Sequence, residues 1–167
     1  GDSTDRLFTI NGSAAAAYAG IEANGTGPLN FTNTGAIAYG TTDQTRTLTL
    51  YGTNTGNNTF APTIGNNGTG AVSLTKSGAG TWVLTGANTY TGTTTLSGGV
   101  LGISADANLS GTSSPLTFNG GNTEATKATL QIAGTSLTAL NAGRTTTFTA
   151  TKFVGFDIAD AANTFTV

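Results

Sequence analysis

Eight carboxylates are the residues of this chain best suited to acid–base chemistry: Asp2, Asp5, Glu22, Asp43, Asp106, Glu124, Asp157 and Asp160. A glycosidase needs two carboxylates about 5 to 10 Å apart. Asp157 and Asp160 are close along the chain, but residues i and i+3 of a strand point to opposite faces. Asp2 and Asp5 could share a calcium ion with loop carbonyls, although a pair so near a terminus is usually just solvated. We predict neither a catalytic pair nor a metal site.

Nucleophilic chemistry has few residues to draw on, because the chain contains no His and no Cys. Only carboxylate or Ser–Lys chemistry is left. The adjacent pair Lys76-Ser77 lies in a Gly-rich stretch that is better explained as a turn. The stretch Ser-Gly-Ala-Gly-Thr (77–81) is Gly-rich, but no helix follows it to bind a phosphate. The sequence therefore predicts no enzyme, no catalytic residue and no cofactor.

The charge pattern and the short apolar runs argue against two further classes of partner. The net charge is −2, and the six Lys and Arg residues are scattered one at a time, so they form no basic face for nucleic acid. No apolar run approaches the roughly 18 residues that a membrane-spanning helix needs. We expect no nucleic-acid binding and no membrane insertion by this segment.

The composition favours an all-β fold. Charged residues are only 8% of the chain, whereas Gly accounts for 25 of the 167 residues and Thr for 37. Thr and aromatic residues favour strands, and Gly and Asn supply turns that need a positive φ. With 37% hydrophobic residues the chain is not of the disordered type.

Apolar residues recur at positions i and i+2, which is the period of a strand. Ten pairs or triplets follow this spacing: Phe8/Ile10, Leu29/Phe31, Leu48/Leu50, Val72/Leu74, Trp82/Leu84, Leu101/Ile103, Leu116/Phe118, Leu130/Ile132, Val154/Phe156/Ile158 and Phe165/Val167. Turn-forming clusters rich in Gly and Asn separate them.

One short motif repeats along the chain at a constant step. Leu-x-Gly-x-Asn-Thr begins at Leu50 and again at Leu84, and it recurs from Phe118 with Phe in place of Leu. We assign its turn residues a structural role: Gly52, Asn54, Thr55, Gly86, Asn88, Thr89, Gly120, Asn122 and Thr123. Repeating strand–turn units predict a stacked β-solenoid of about seven coils, in which these turns lie over each other. A β-sandwich or a β-propeller is the alternative.

The stretch from Leu74 to Leu101 closely resembles the autotransporter-associated β-strand repeat, also called the passenger-associated transport repeat. Fourteen residues fall on that family's pattern without a gap: Lys76, Gly78, Gly80, Trp82, Leu84, Gly86, Asn88, Thr89, Tyr90, Gly92, Thr94, Leu96, Gly99 and Leu101. The resemblance implies a right-handed parallel β-helix from the passenger region of a secreted or cell-surface bacterial protein. The whole chain, 1–167, is then a single β-helical segment with the repeat at 74–101.

These observations predict a structural role, as a rigid stalk, adhesin shaft or filament subunit outside the cell. Neither end of the sequence looks like a polar cap, so we expect the coil to continue, in a longer chain or by end-to-end self-association. The alternative is a carbohydrate- or surface-binding module that uses exposed aromatic and Thr faces on host or environmental glycans. Trp82 is expected in the core, with Leu84 two positions on. Ice binding would need a Thr-x-Thr pair at the same place in every coil, and the sequence shows such pairs in some coils only.

Overall fold

A computed structural model describes residues 1–12, 16–110, 114–133, 137, 139–150 and 152–158, and the side chain of Glu124 is outside the description. Two parallel sheets contain most of the strands. The seven-stranded sheet is formed by β1 (Asp2–Thr4), β4 (Leu29–Phe31), β7 (Asn58–Phe60), β9 (Thr81–Leu84), β11 (Gly99–Ile103), β13 (Ala128–Ile132) and β15 (Val154–Ile158), in that order. The six-stranded sheet is formed by β3 (Ala17–Ala23), β6 (Arg46–Gly52), β8 (Val72–Lys76), β10 (Thr94–Leu96), β12 (Leu116–Phe118) and β14 (Thr146–Phe148).

Short elements complete the coils. β2 (Thr9–Ile10) pairs with β5 (Ala38–Tyr39) in a third, two-stranded sheet. Two single-turn 3₁₀ helices, Asp106–Leu109 and Glu124–Thr126, lie between strands of the two larger sheets. No helix among the described residues has the length and apolar character that crossing a membrane requires.

The chain alternates between the two large sheets and returns to each one a coil later, always in parallel orientation. This is the path of a parallel β-solenoid, so the predicted fold is confirmed. The predicted number of coils was slightly too high. One sheet has seven strands, and the other has six among the described residues. Since a complete coil needs a strand in each sheet, the described residues form fewer than seven complete coils.

The core contains ladders of identical or similar residues from successive coils. Ile103 and Ile132 are buried register partners in β11 and β13, and Ile158 continues their column in β15, where it is 36% exposed. Phe31 and Phe60 are partners in β4 and β7, with ring centroids 5.6 Å apart. Because parallel strands lie about 4.8 Å apart, the side chain of an inward residue packs against the side chain of its register partner in the next coil. The solenoid therefore has one continuous core along its axis.

Trp82 occupies this core, as predicted. Its side chain is fully buried, and its indole N–H donates to the carbonyl oxygen of Tyr51 at 3.0 Å. The polar end of the indole is thus satisfied by the preceding coil, which is the usual requirement for burying tryptophan.

Coil length varies along the chain. Thr81 pairs with Val100 and Leu116 pairs with Thr146, so the coil between the second pair of partners is considerably longer than the coil between the first. The strands keep their register because the extra residues lie in the connections between sheets. A motif that recurs at a constant spacing in the sequence therefore occupies different positions in successive coils.

Glycine is required where the chain leaves the six-stranded sheet. Gly78 has φ +69°, and a Cβ built on it would lie 2.6 Å from the carbonyl oxygen of Gly52 in the preceding coil. Gly52 has φ +121°, and its Cβ would lie 2.2 Å from the carbonyl oxygen of Ala23, one coil earlier still. Both the backbone angle and the close approach of the coils therefore exclude a side chain at this corner.

We predict that Gly78→Ala lowers the free energy of unfolding by about 2 to 4 kcal/mol, since it combines a left-handed backbone angle with a steric clash against backbone. Urea unfolding followed by tryptophan fluorescence measures the change. Gly25→Ala is the control, because the nearest atom to its Cβ would be 3.9 Å away. Equal effects of the two substitutions would contradict this packing of the corner.

Candidate functional sites: the coil corners and the outer threonine surface

Asn54 lies at the corner that follows β6 and binds the backbone of the preceding coil. Its amide nitrogen donates to the carbonyl oxygens of Gly25 at 2.6 Å and Gly27 at 3.2 Å. Its amide oxygen accepts from the N–H of Gly56 at 2.9 Å. Asn54 is only 8% exposed, so its amide loses most of its hydrogen bonds to water. The bonds to the backbone compensate for that loss.

Asn88 makes a similar set of bonds at the opposite corner, between β9 and β10. Its amide oxygen accepts from the N–H of Ile64 in the preceding coil at 2.8 Å, and its amide nitrogen donates to the carbonyl oxygen of Asn108 in the following coil at 2.6 Å. Asn108 in turn donates to the carbonyl oxygen of Gly86 at 3.0 Å. The asparagines thus connect three successive coils.

Asn122, after β12, is exposed and differs from the other two. Its amide oxygen accepts from Lys152 at 2.9 Å, and the hydroxyl of Thr123 lies 2.8 Å from that of Thr126. Gly120 beside it is buried, and a Cβ there would lie 2.2 Å from the carbonyl oxygen of Phe153.

The three motif copies do not form one column. Leu50 and Phe118 belong to the six-stranded sheet, whereas Leu84 belongs to the seven-stranded sheet. The expected stacking of all three turns is therefore not found. The reason is that the coils differ in length and are shorter than the spacing of the motif. The distances along the chain from Thr81 to Val100 and from Leu116 to Thr146 are both smaller than the distance from one motif copy to the next. One step therefore carries the motif beyond a coil and into the other sheet. The threonines of the motif, Thr55, Thr89 and Thr123, are exposed.

Asn58 was missed by the sequence analysis, yet it contacts coils on both sides. Its amide oxygen accepts from the N–H of Leu29 at 2.8 Å, and its amide nitrogen donates to the carbonyl oxygen of Thr81 at 2.6 Å. Its place in the alternating sequence Asn58-Thr59-Phe60, two residues before a buried Phe, is the signal that it points inward.

Buried cations form the second set of contacts between coils. Three of the six Lys and Arg residues are buried: Arg46, Lys76 and Arg144. The strand period indicates this for two of them, since Arg46 shares its face of β6 with Leu48 and Leu50, and Lys76 shares its face of β8 with Leu74. The low charge of the chain had suggested only that no basic surface exists.

Lys76 has three backbone carbonyls around its ammonium group. Nζ donates to Ser77 at 2.8 Å, to Gly78 at 3.1 Å and, in the next coil, to Gly98 at 3.0 Å. Burial lowers the pKa of the ammonium to about 8, so at neutral pH it keeps its proton and has three donors for three acceptors. Lys76 therefore fastens the corner of one coil to the next.

The two arginines do the same nearer the ends of the described stack. Arg46 donates to the carbonyl oxygen of Gly12, one coil earlier, at 2.7 Å. Arg144 donates to the carbonyl oxygens of Leu109, Ser110 and Ser114 and forms a 3.1 Å ion pair with Asp106. Most of these acceptors are uncharged backbone groups, so the arginines satisfy carbonyls at corners where no strand partner is available.

Among the described residues no group of three or more His, Cys, Asp and Glu could hold a metal ion. Asp157 accepts from Gln131 in the neighbouring strand at 2.8 Å, and Asp160 lies outside the described residues. Asp43 accepts from the N–H and the hydroxyl of Thr69, which lowers its pKa.

Threonines form a regular column on the outer surface of the six-stranded sheet. Register partners in five successive strands are Thr49, Thr75, Thr95, Thr117 and Thr147. We call these five residues the threonine column. Thr47 and Ser73 are partners in a parallel column two positions away. The outer surface of the other sheet has no such uniformity, since Thr59, Val83, Gly102 and Gln131 succeed each other there.

We predict that Lys76→Met lowers the free energy of unfolding by about 2 to 4 kcal/mol, because three inward carbonyls lose their donor while the apolar stem is retained. Chemical denaturation at pH 7 measures the change. Lys152→Met is the control, since Lys152 makes an exposed bond to Asn122 and should change stability by less than about 0.5 kcal/mol. A neutral or stabilising Lys76→Met would contradict the fastening role.

Comparison with known proteins places the repeat within a family. Residues 74–103 match the family model described as the passenger-associated-transport-repeat. The chain is 50% identical over 103 residues to the adhesin BmaC autotransporter of Brucella suis biovar 1 (strain 1330). That alignment covers 62% of this chain and 3% of the relative, so the chain spans a small part of that protein's length. No solved structure matches. Residues 74–103 are thus a passenger-associated transport repeat of the autotransporter type, in an extracellular or cell-surface protein.

Proposed function

We propose that this chain is a shaft segment of a passenger: a stiff β-helical spacer that holds other parts of a bacterial surface protein at a distance from the cell. The observation that carries the proposal is the unbroken parallel register from Asp2 in β1 to Ile158 in β15. Seven strands at about 4.8 Å spacing extend roughly 29 Å along the axis. Length along the axis is then proportional to the number of coils.

Stiffness follows from the contacts at the corners. A β-solenoid joined only by its strands could bend where one connection meets the next. Here Asn54 and Asn88 bond the connections of adjacent coils to each other. Asn58 joins the first residues of β7 and β9, and Lys76 adds a buried ammonium between two connections. A bend would have to break buried hydrogen bonds whose groups then find no water.

The relative adds independent support, because it is named an adhesin and an adhesin must present its binding region beyond the cell envelope. We include in the proposal that further coils stack on this one, within one chain or by end-to-end association of copies. The ring of Phe148, 48% exposed beside a cavity of about 430 Å³ that Leu140 and Phe156 also line, is an apolar surface suited to such a coil.

Tandem duplication tests the shaft directly. Asn58, Trp82 and Leu101 are register partners, so residues 58–100 are two whole coils that can be repeated without changing the register. We predict that each added copy lengthens the molecule by about 10 Å in one dimension. Small-angle X-ray scattering of variants with one, two and three added copies gives the maximum dimension. Growth of the cross-section, or a chain that behaves as separate flexible units, would contradict a shaft.

A further inference from the structure

Two tyrosines on the outer surface of β3 and β6 border an open groove. Tyr18 is 80% exposed, and Tyr51 is half-buried on the neighbouring strand. The groove has a volume of about 360 Å³ and is lined by Tyr18, Gly20, Thr49, Tyr51 and Ser77. A phenol ring that is exposed to this extent contributes nothing to the core, so the fold alone gives no reason for Tyr18.

Gly20 shapes the floor of this groove. A Cβ built on Gly20 would lie 2.8 Å from Cε1 of Tyr51, so the ring of Tyr51 leans over the glycine and occupies the space of a side chain. Tyr18 is two residues from Gly20 on the same strand and points to the same side of the sheet. The absence of a side chain at position 20 therefore leaves an open space between two aromatic rings.

The threonine column begins at this groove. Gly20 is the register partner of Thr49, the first member of the column, and Thr75, Thr95, Thr117 and Thr147 follow at steps of about 4.8 Å. Within the part of the chain that the structure describes, none of these five hydroxyls has a hydrogen-bond partner in the protein. They offer a row of donors and acceptors that leads away from the aromatic end.

Charge on this surface selects among ligands. The cations of β6 and β8, Arg46 and Lys76, are buried on the opposite side of the sheet. The charged residue beside the groove is Glu22, the register partner of Tyr51, which accepts from Asn24 at 2.6 Å. On the outer surface of the described strands β3, β6 and β8 an anionic polymer would meet a carboxylate and no cation, whereas a neutral polymer would meet no electrostatic repulsion.

We propose that the Tyr18–Tyr51 groove and the threonine column bind an extended neutral polysaccharide along the solenoid axis. A sugar ring has an apolar C–H face, which the tyrosine rings cover, and a hydroxyl rim, which threonine hydroxyls bond. One ring lies in the groove, and the following rings of the chain run across successive coils. This inference goes beyond the shaft function. The scattering experiment on the tandem variants contains no glycan, so the shaft function and glycan binding can each fail independently of the other.

Affinity electrophoresis of the 167-residue chain tests the proposal. The gels contain hydroxyethylcellulose, a mannan, dextran or anionic polygalacturonate. We expect at least one of the three neutral polysaccharides to retard the chain and polygalacturonate to leave its mobility unchanged. Tyr18→Ala should weaken the retardation about tenfold, because it removes the exposed ring. No retardation by any of the three neutral polymers, or equal retardation by polygalacturonate, would overturn the proposal.

A hydroxyl-deletion variant keeps the test independent of folding. The triple substitution Thr75→Val, Thr95→Val and Thr117→Val retains shape and strand preference and removes three hydroxyls; it should weaken binding at least tenfold with an unchanged circular dichroism spectrum. Thr59→Val, on the outer surface of the other sheet, is the matched control and should bind normally. Equal losses in both variants would overturn the site. A chain that slows ice growth through the threonine column but binds no polysaccharide would overturn it in favour of ordered water as the ligand.

Discussion

Register between successive coils is the constraint on which every other feature of this molecule depends. Each inward residue has to meet its counterpart about 4.8 Å away along the axis, and a slip by one residue would turn the whole inward face of a strand toward water. The ladder of Ile103, Ile132 and Ile158 and the pair of Phe31 and Phe60 are consequences of this rule. So is the threonine column, since the same register aligns the outward residues.

Corners are the places where the strands cannot maintain this register by themselves, and several polar side chains of the interior make their hydrogen bonds there. Lys76 and Asn88 both supply donors to backbone carbonyls of an adjacent coil. The result is an unusual distribution of charge, in which half of the basic residues are inside and the outer surface of the six-stranded sheet is mainly hydroxyl-bearing. Stacked like charges are thereby avoided on that surface, where each would repeat at the strand spacing.

The alternation of Thr with apolar residues was enough to predict strands and a buried Trp82, because the period of two is a local property of the chain. The repeated motif predicted the stacking of coils, and the resemblance to the passenger-associated transport repeat implied their parallel orientation. Which residues stack on which could not be read in the same way. Connections differ in length, so Asn88 lies at the opposite corner from Asn54 even though the two motifs look alike. The threonine column was hidden for the same reason, since its members are separated by unequal steps along the sequence. The inward position of Lys76 was available from the period of β8 but was set aside in favour of a turn.

Engineered disulfides test the register most directly, because the natural chain contains no cysteine. Thr75 and Thr95 are register partners on one surface of the six-stranded sheet, and adjacent strands bring their Cα atoms within the range that a disulfide spans. We expect the double variant Thr75→Cys/Thr95→Cys to oxidise to an intramolecular disulfide while keeping its fold. Thr75→Cys/Thr59→Cys, which places the thiols on different sheets, should stay reduced or cross-link only between molecules. The reverse outcome would contradict in-register coils, and with them the shaft and its threonine column.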